Sequence, residues 1–111
     1  MRLIVLILII FFTPAYAGET VATWYGHEHA GKRTASGETF TPDGLTAAHR
    51  SLPFGTCLRV SNPKTGRSVS VRVNDRGPYI RGRSVDVSSA AAERIGMVDQ
   101  GVARVKLDVI H

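Results

Sequence analysis

The run Val73-Asn74-Asp75-Arg76-Gly77-Pro78 sets a carboxylate beside a fixed cation at the point where an alternating apolar stretch meets Gly and Pro. A carboxyl carried at the end of a rigid strand can act as a general acid or base if its surroundings hold the right charge state. The same residues equally satisfy a local Asx-turn, in which Asp75 only accepts from its own backbone. His49 closes a short run of small residues, 45–49, and reads as a histidine satisfied by backbone at a strand end. His27-Glu28-His29 has metal-ligand residue types but lies in a polar loop with no distant partner of matching type, so no metal and no cofactor are expected. Cys57 is the single cysteine, so an intramolecular disulfide is excluded. It falls inside a strand pattern with no histidine beside it, and reads as a small buried hydrophobe.

The elements that position these groups are short strands separated by turn residues, the pattern of a mostly-β barrel or sandwich. Residues 20–25 alternate and end at Gly26. Residues 45–49 form a short strand, and 56–61 alternate with Leu58 and Val60 inward. A five-residue connection, 62–66, leads into 67–73, where Val69, Val71 and Val73 share a buried face opposite Ser70 and Arg72. Residues 84–88 are another strand, and Ser88 or Ser89 caps a short helix over about 89–95, with Gly96 at its end. A last strand carries Ala103, Val105, Leu107 and Val109 against Arg104, Lys106 and Asp108. Six or so strands and one helix point to a small closed barrel.

The first residues have a different character. A basic start, ten apolar residues from Leu3 to Phe12, Pro14 and Ala15-Tyr16-Ala17 make a secretory signal peptide with cleavage expected after Ala17. The apolar run is about half of the ~20 residues a membrane span needs. Residues 18–111 are then one domain, exported to the periplasm or beyond and soluble after cleavage, with no stable membrane anchor. Removing Arg2 leaves 13 Lys and Arg against 9 Asp and Glu, about +4, which draws the domain to anionic polymers of the wall. The cations are scattered and aromatics are few, so a nucleic-acid groove is not expected.

Six motifs stand in order: Ala22-Thr23-Trp24-Tyr25-Gly26, Arg33-Thr34-Ala35-Ser36-Gly37-Glu38, Leu45-Thr46-Ala47-Ala48-His49, Leu52-Pro53-Phe54-Gly55-Thr56, Val73-Asn74-Asp75-Arg76-Gly77-Pro78 and Val85-Asp86-Val87-Ser88. Together they resemble the rare lipoprotein A family over essentially the whole domain. The resemblance implies a six-stranded double-psi β-barrel. It also implies endolytic lytic transglycosylase activity on peptidoglycan glycan strands, with a preference for strands stripped of stem peptides. The family's functional positions fall on Glu38, His49 and Asp75.

For such a reaction one group protonates the glycosidic oxygen and then takes the proton of the muramic acid 6-hydroxyl, closing a 1,6-anhydro ring. Asp75 is expected in that double role. An acid must hold its proton, so Arg76 is expected to point away from it, toward substrate. His49 would orient or share a proton with Asp75, or donate to the sugar, and Glu38 would bind hydroxyls or raise the Asp75 pKa. Trp24 and Tyr25 offer a sugar-stacking platform, with core packing the alternative for Trp24. Asp86 is read as structural, linking strand to helix. A monomer acting on glycan strands is expected. The alternative is a non-catalytic expansin-like module that binds wall polysaccharide through the same groove.

Overall fold

The computed structural model describes residues 17–111. The expected leader lies outside them, apart from Ala17. The strands are β1 (Ala17–Tyr25), β2 (Thr46–His49), β3 (Cys57–Asn62), β4 (Arg67–Asp75), β5 (Arg83–Ser88) and β6 (Val102–Val109). One α-helix, α1 (Ser89–Ile95), and a 3-10 turn over His27–His29 complete the elements. The strands close into a barrel in the order β1-β5-β2-β4-β3-β6. Pairs β1/β5 and β2/β4 are parallel, and the other four are antiparallel. This is the six-stranded mixed barrel with one helix that the motifs imply, and closure leaves no strand edge open.

Alternation sorts the residues as expected. Val69, Val71, Val73, Leu58, Val60, Val85, Val87, Val105 and Leu107 are buried together in the core. The β3–β4 hairpin pairs Asn62 with Arg67 across its connection. Helix α1 closes one end of the core with Ala91, Ala92 and Ile95. The Ser88 hydroxyl accepts from the Ala91 amide at 3.3 Å, and Gly96, at φ 71°, ends the helix by donating to the Ala92 and Glu93 carbonyls. Cys57 is only partly buried, because it is the first residue of β3 rather than an interior one.

One irregularity matters for function. Along β2/β4, Ala47 pairs with Val73 but Ala48 pairs with Asp75, so β4 carries an extra residue, Asn74. Strict alternation would turn Asp75 to the same side as buried Val73. A bulge of this kind re-aims the residue after it. Asp75 therefore comes to the same face as Ala48, at the end of β4 rather than in the turn beyond it.

Candidate active site

Ala48 is the centre of the site. It pairs with Asp75 on β4 and with Asp86 on β5, so one small side chain separates two carboxylates. Two strand spacings put their Cα atoms roughly 9–10 Å apart. All three residues line a cavity of about 260 Å³. Buried Phe40 and Thr34 and half-buried Tyr25 complete its inner wall, while exposed His29, Lys32 and Arg33 make a basic rim.

Residues 30–40 form the wall that covers the carboxylates. The Gly31 amide donates to the Phe40 carbonyl at 3.0 Å, and the Phe40 amide returns to the Lys32 carbonyl at 2.8 Å. This arm grips the bulge directly. The Ser36 amide donates to the Asn74 carbonyl at 3.2 Å, and the Ala35 amide donates to Asp75 Oδ1 at 2.9 Å. The Arg76 amide donates to the same oxygen at 2.9 Å. The local bond of the simple turn reading thus exists, together with a long-range bond that fixes the carboxylate toward the cavity.

Asp86 sits on β5 between buried Val85 and Val87, on the opposite side of the strand from them. Its Oδ1 is buried without a hydrogen-bond partner among the described residues. Burial pushes its carboxyl above the ordinary range and the charge of Asp75 adds to this, while Arg83 and His29 oppose it. Tyr25 belongs to the same cluster. Burial first, then the charges of Asp75 and Asp86, hold its hydroxyl protonated far above the usual range. Its ring packs at 4.6 Å from Phe40 and edge-on to His29 at 5.5 Å.

Of the other expected site residues, Arg76 also lines the cavity, whereas Glu38, His49 and Trp24 are placed around it. Glu38 makes a two-pronged ion pair with Arg72, with Oε2 to Nη2 at 2.8 Å, which lowers its pKa and straps the 30–40 arm to β4. His49 is buried, and its Nδ1 accepts from the Ser51 and Leu52 amides at 3.2 and 3.1 Å. The neutral ring then carries its proton on Nε2. Burial, with Arg50 and Arg76 nearby, lowers its pKa. Trp24 packs against the core and donates from Nε1 to the Val98 carbonyl at 3.2 Å. Alternation sends Tyr25 the other way, into the cavity.

Arg76 does turn from Asp75. Its Nη1 donates to the Leu52 carbonyl at 2.9 Å and the His49 carbonyl at 3.3 Å, and its guanidinium lies 3.9 Å from the centroid of Phe54. Asp86 is the residue that sequence reasoning assigned elsewhere. A carboxylate between two core valines was the available signal, since a strand of a closed barrel has a second face that some other segment can cover.

Comparison with known proteins agrees with this architecture. The family described as lytic transglycolase matches residues 18–107. A probable endolytic peptidoglycan transglycosylase RlpA of Nostoc sp. is 54% identical over 92 residues, covering 81% of this chain and 25% of the relative. The endolytic peptidoglycan transglycosylase RlpA of Campylobacter jejuni is 48% identical over 101 residues, covering 88% of this chain and 37% of the relative. The chain thus spans between a quarter and two fifths of the length of these curated relatives. Among solved structures, a Streptomyces papain inhibitor superposes with a TM-score of 0.68 at 20% identity, covering 88% of this chain and 97% of that one. An expansin of Clavibacter michiganensis gives 0.68 at 22%, covering 86% and 51%. At these identities both share the fold, and the fold alone does not set the chemistry.

Proposed function

The chain belongs to the lytic transglycolase family, and from that premise we propose that it cleaves peptidoglycan glycan strands endolytically, leaving 1,6-anhydromuramyl ends. The observation that carries this reading is the placement of Asp75 and Asp86 on either side of Ala48 in one cavity. Their environments differ: one carboxylate is held by two amides, and the other is half-buried and pushed toward its protonated form. Two carboxyl groups with unlike surroundings are the arrangement that divides acid from charge-stabilising work.

In this proposal Asp86 gives its proton to the glycosidic oxygen as the C1–O bond breaks, and the leaving sugar departs with a free 4-hydroxyl. Positive charge gathers at C1 and the ring oxygen of the muramic acid residue, and the Asp75 carboxylate stabilises it. The 6-hydroxyl of the same sugar then attacks C1, and its proton returns to Asp86. No water is consumed. Tyr25, kept as a neutral phenol, is a donor for a sugar oxygen. Glu38 and His49 act as positioning residues: Glu38 holds the arm over Asp75, and His49 holds the 50–55 segment on which Arg76 rests.

Lys32 and Arg33 on the rim suit a carboxylate, which muramic acid exposes on its lactyl group when the stem peptide is absent. This favours strands without stems. We further propose that residues 1–17 direct export and are removed, and that residues 18–111 act as a monomeric domain on the wall side of the membrane. The test is digestion of purified stem-free strands. Soluble fragments released by the wild type and absent with Asp86→Asn support the reading. Binding without release in both proteins contradicts it, and indicates an expansin-like binding module.

A further inference from the structure

A cavity of about 260 Å³ falls below the roughly 300–1,000 Å³ of ordinary ligand pockets. It has room for little more than a sugar ring, whereas an enzyme that cuts within a chain must hold sugars on both sides of the bond. The surface beside the cavity has features that suit this need. Phe54 is 42% exposed, Tyr79 75% and Ile80 54%. Scattered apolar residues on a surface are ordinary, but these three lie on the two segments that adjoin Arg76 in the fold. Arg76 is itself part of the cavity wall and also the support under the Phe54 ring.

That support is rigid. The guanidinium is fixed by the Leu52 and His49 carbonyls before it meets the ring. Phe54 is therefore an exposed aromatic held by a cation rather than by core packing. Tyr79 follows closely: its ring lies 3.9 Å from where a side chain at Gly77 would begin, and Gly77, at φ 118°, adopts the left-handed region. Aromatic faces match the C–H faces of pyranose rings, and a pre-oriented ring binds without an ordering cost.

We propose that Phe54, carried on Arg76, together with Tyr79 forms an outer sugar-binding platform that receives the β-1,4-linked glycan chain where it leaves the cavity. The inference rests on the glycan-cleaving reading above, so its test uses binding rather than cleavage. The probes are β-1,4-linked N-acetylglucosamine dimer and hexamer, titrated calorimetrically into the full chain in an Asp86→Asn background that prevents turnover. With Phe54 intact the hexamer binds more tightly than the dimer. Phe54→Ala is expected to weaken hexamer binding about tenfold and to remove the advantage of length. Phe54→Tyr keeps the ring and retains that advantage, which separates loss of stacking from loss of fold. Tyr79→Ala weakens the hexamer to a smaller extent. Hexamer affinity in Phe54→Ala within about twofold of the parent overturns the platform, as does an equal loss in Phe54→Tyr. Failure of the strand digestion removes the catalytic reading and leaves these titrations interpretable.

Discussion

The charge of Asp75 reaches Asp86 across Ala48 and adds to the burial that already raises the Asp86 carboxyl above the ordinary range. The bulge at Asn74 makes this possible, because it turns Asp75 to the face that Ala48 and Asp86 share. β4, parallel to β2, and β5, antiparallel to it, then bring together across β2 two carboxylates that are 11 positions apart in the chain.

Asp86→Asn removes the proposed proton donor, and cleavage is expected to fall about 10²–10⁴-fold. The fold should not suffer at neutral pH. A carboxyl whose folded pKa is raised above its ordinary value contributes stability that is full below about 3.8 and is lost as pH rises through the folded value. Above that folded value a charged Asp86 is a cost that the amide lacks. Urea midpoints of the variant should equal or exceed the wild type at pH 7, with the wild type gaining on the variant as pH falls. A variant that loses stability at pH 7 argues for a structural Asp86.

Asp75→Asn removes a charge that helps keep the proton on Asp86. The Asp86 pKa should fall, and the alkaline limb of the pH–rate profile should move to lower pH, along with a reduced maximum rate. An unmoved limb shows that Asp86 is not the group being titrated.

Glu38 and Arg72 are expected to act as one unit. If Glu38 serves by strapping the 30–40 arm to β4 through Arg72, then Glu38→Ala and Arg72→Ala lower the rate to a similar extent. The double variant is then no worse than either single one. A Glu38→Ala loss far beyond that of Arg72→Ala would instead place Glu38 in the chemistry.

The imidazole of His49 accepts from two amides, and its pKa is lowered from the usual 6.5 by burial, Arg50 and Arg76. Between the lowered folded value and 6.5, the unfolded chain binds more protons. His49 therefore adds to stability above pH 6.5 and loses that contribution as pH falls through its folded pKa. The change in urea midpoint between pH 7 and pH 5 should be smaller in His49→Gln than in the wild type. An equal change assigns the acid sensitivity to other groups.

Most of the scaffold was legible because it depends on local patterns. The valines of β4, the alternation of β6 and the Ser88 and Gly96 caps of α1 each follow from period or cap chemistry within a few residues. The family resemblance supplied the closed six-stranded barrel. The site was legible only in part. Arg76 was expected to turn from Asp75, and it does, because two carbonyls and Phe54 offer it better partners. The bulge at Asn74 leaves no local mark, since it arises from pairing with β2, a segment more than twenty residues earlier. Local sequence reads Asp86 as a link from strand to helix and does not show that it also lines the cavity, because the arm over it, residues 30–40, comes from a distant part of the chain. Trp24 and Tyr25 were grouped by proximity, yet neighbours on a strand face opposite ways, and only Tyr25 reaches the cavity.

The mass of the newly formed glycan ends tests the central claim most directly. Stem-free strands digested with the wild-type domain should yield muramyl ends lighter by one water than hydrolytic ends, and none with Asp86→Asn. Ordinary reducing ends would show that water attacks C1, and would contradict internal attack by the 6-hydroxyl.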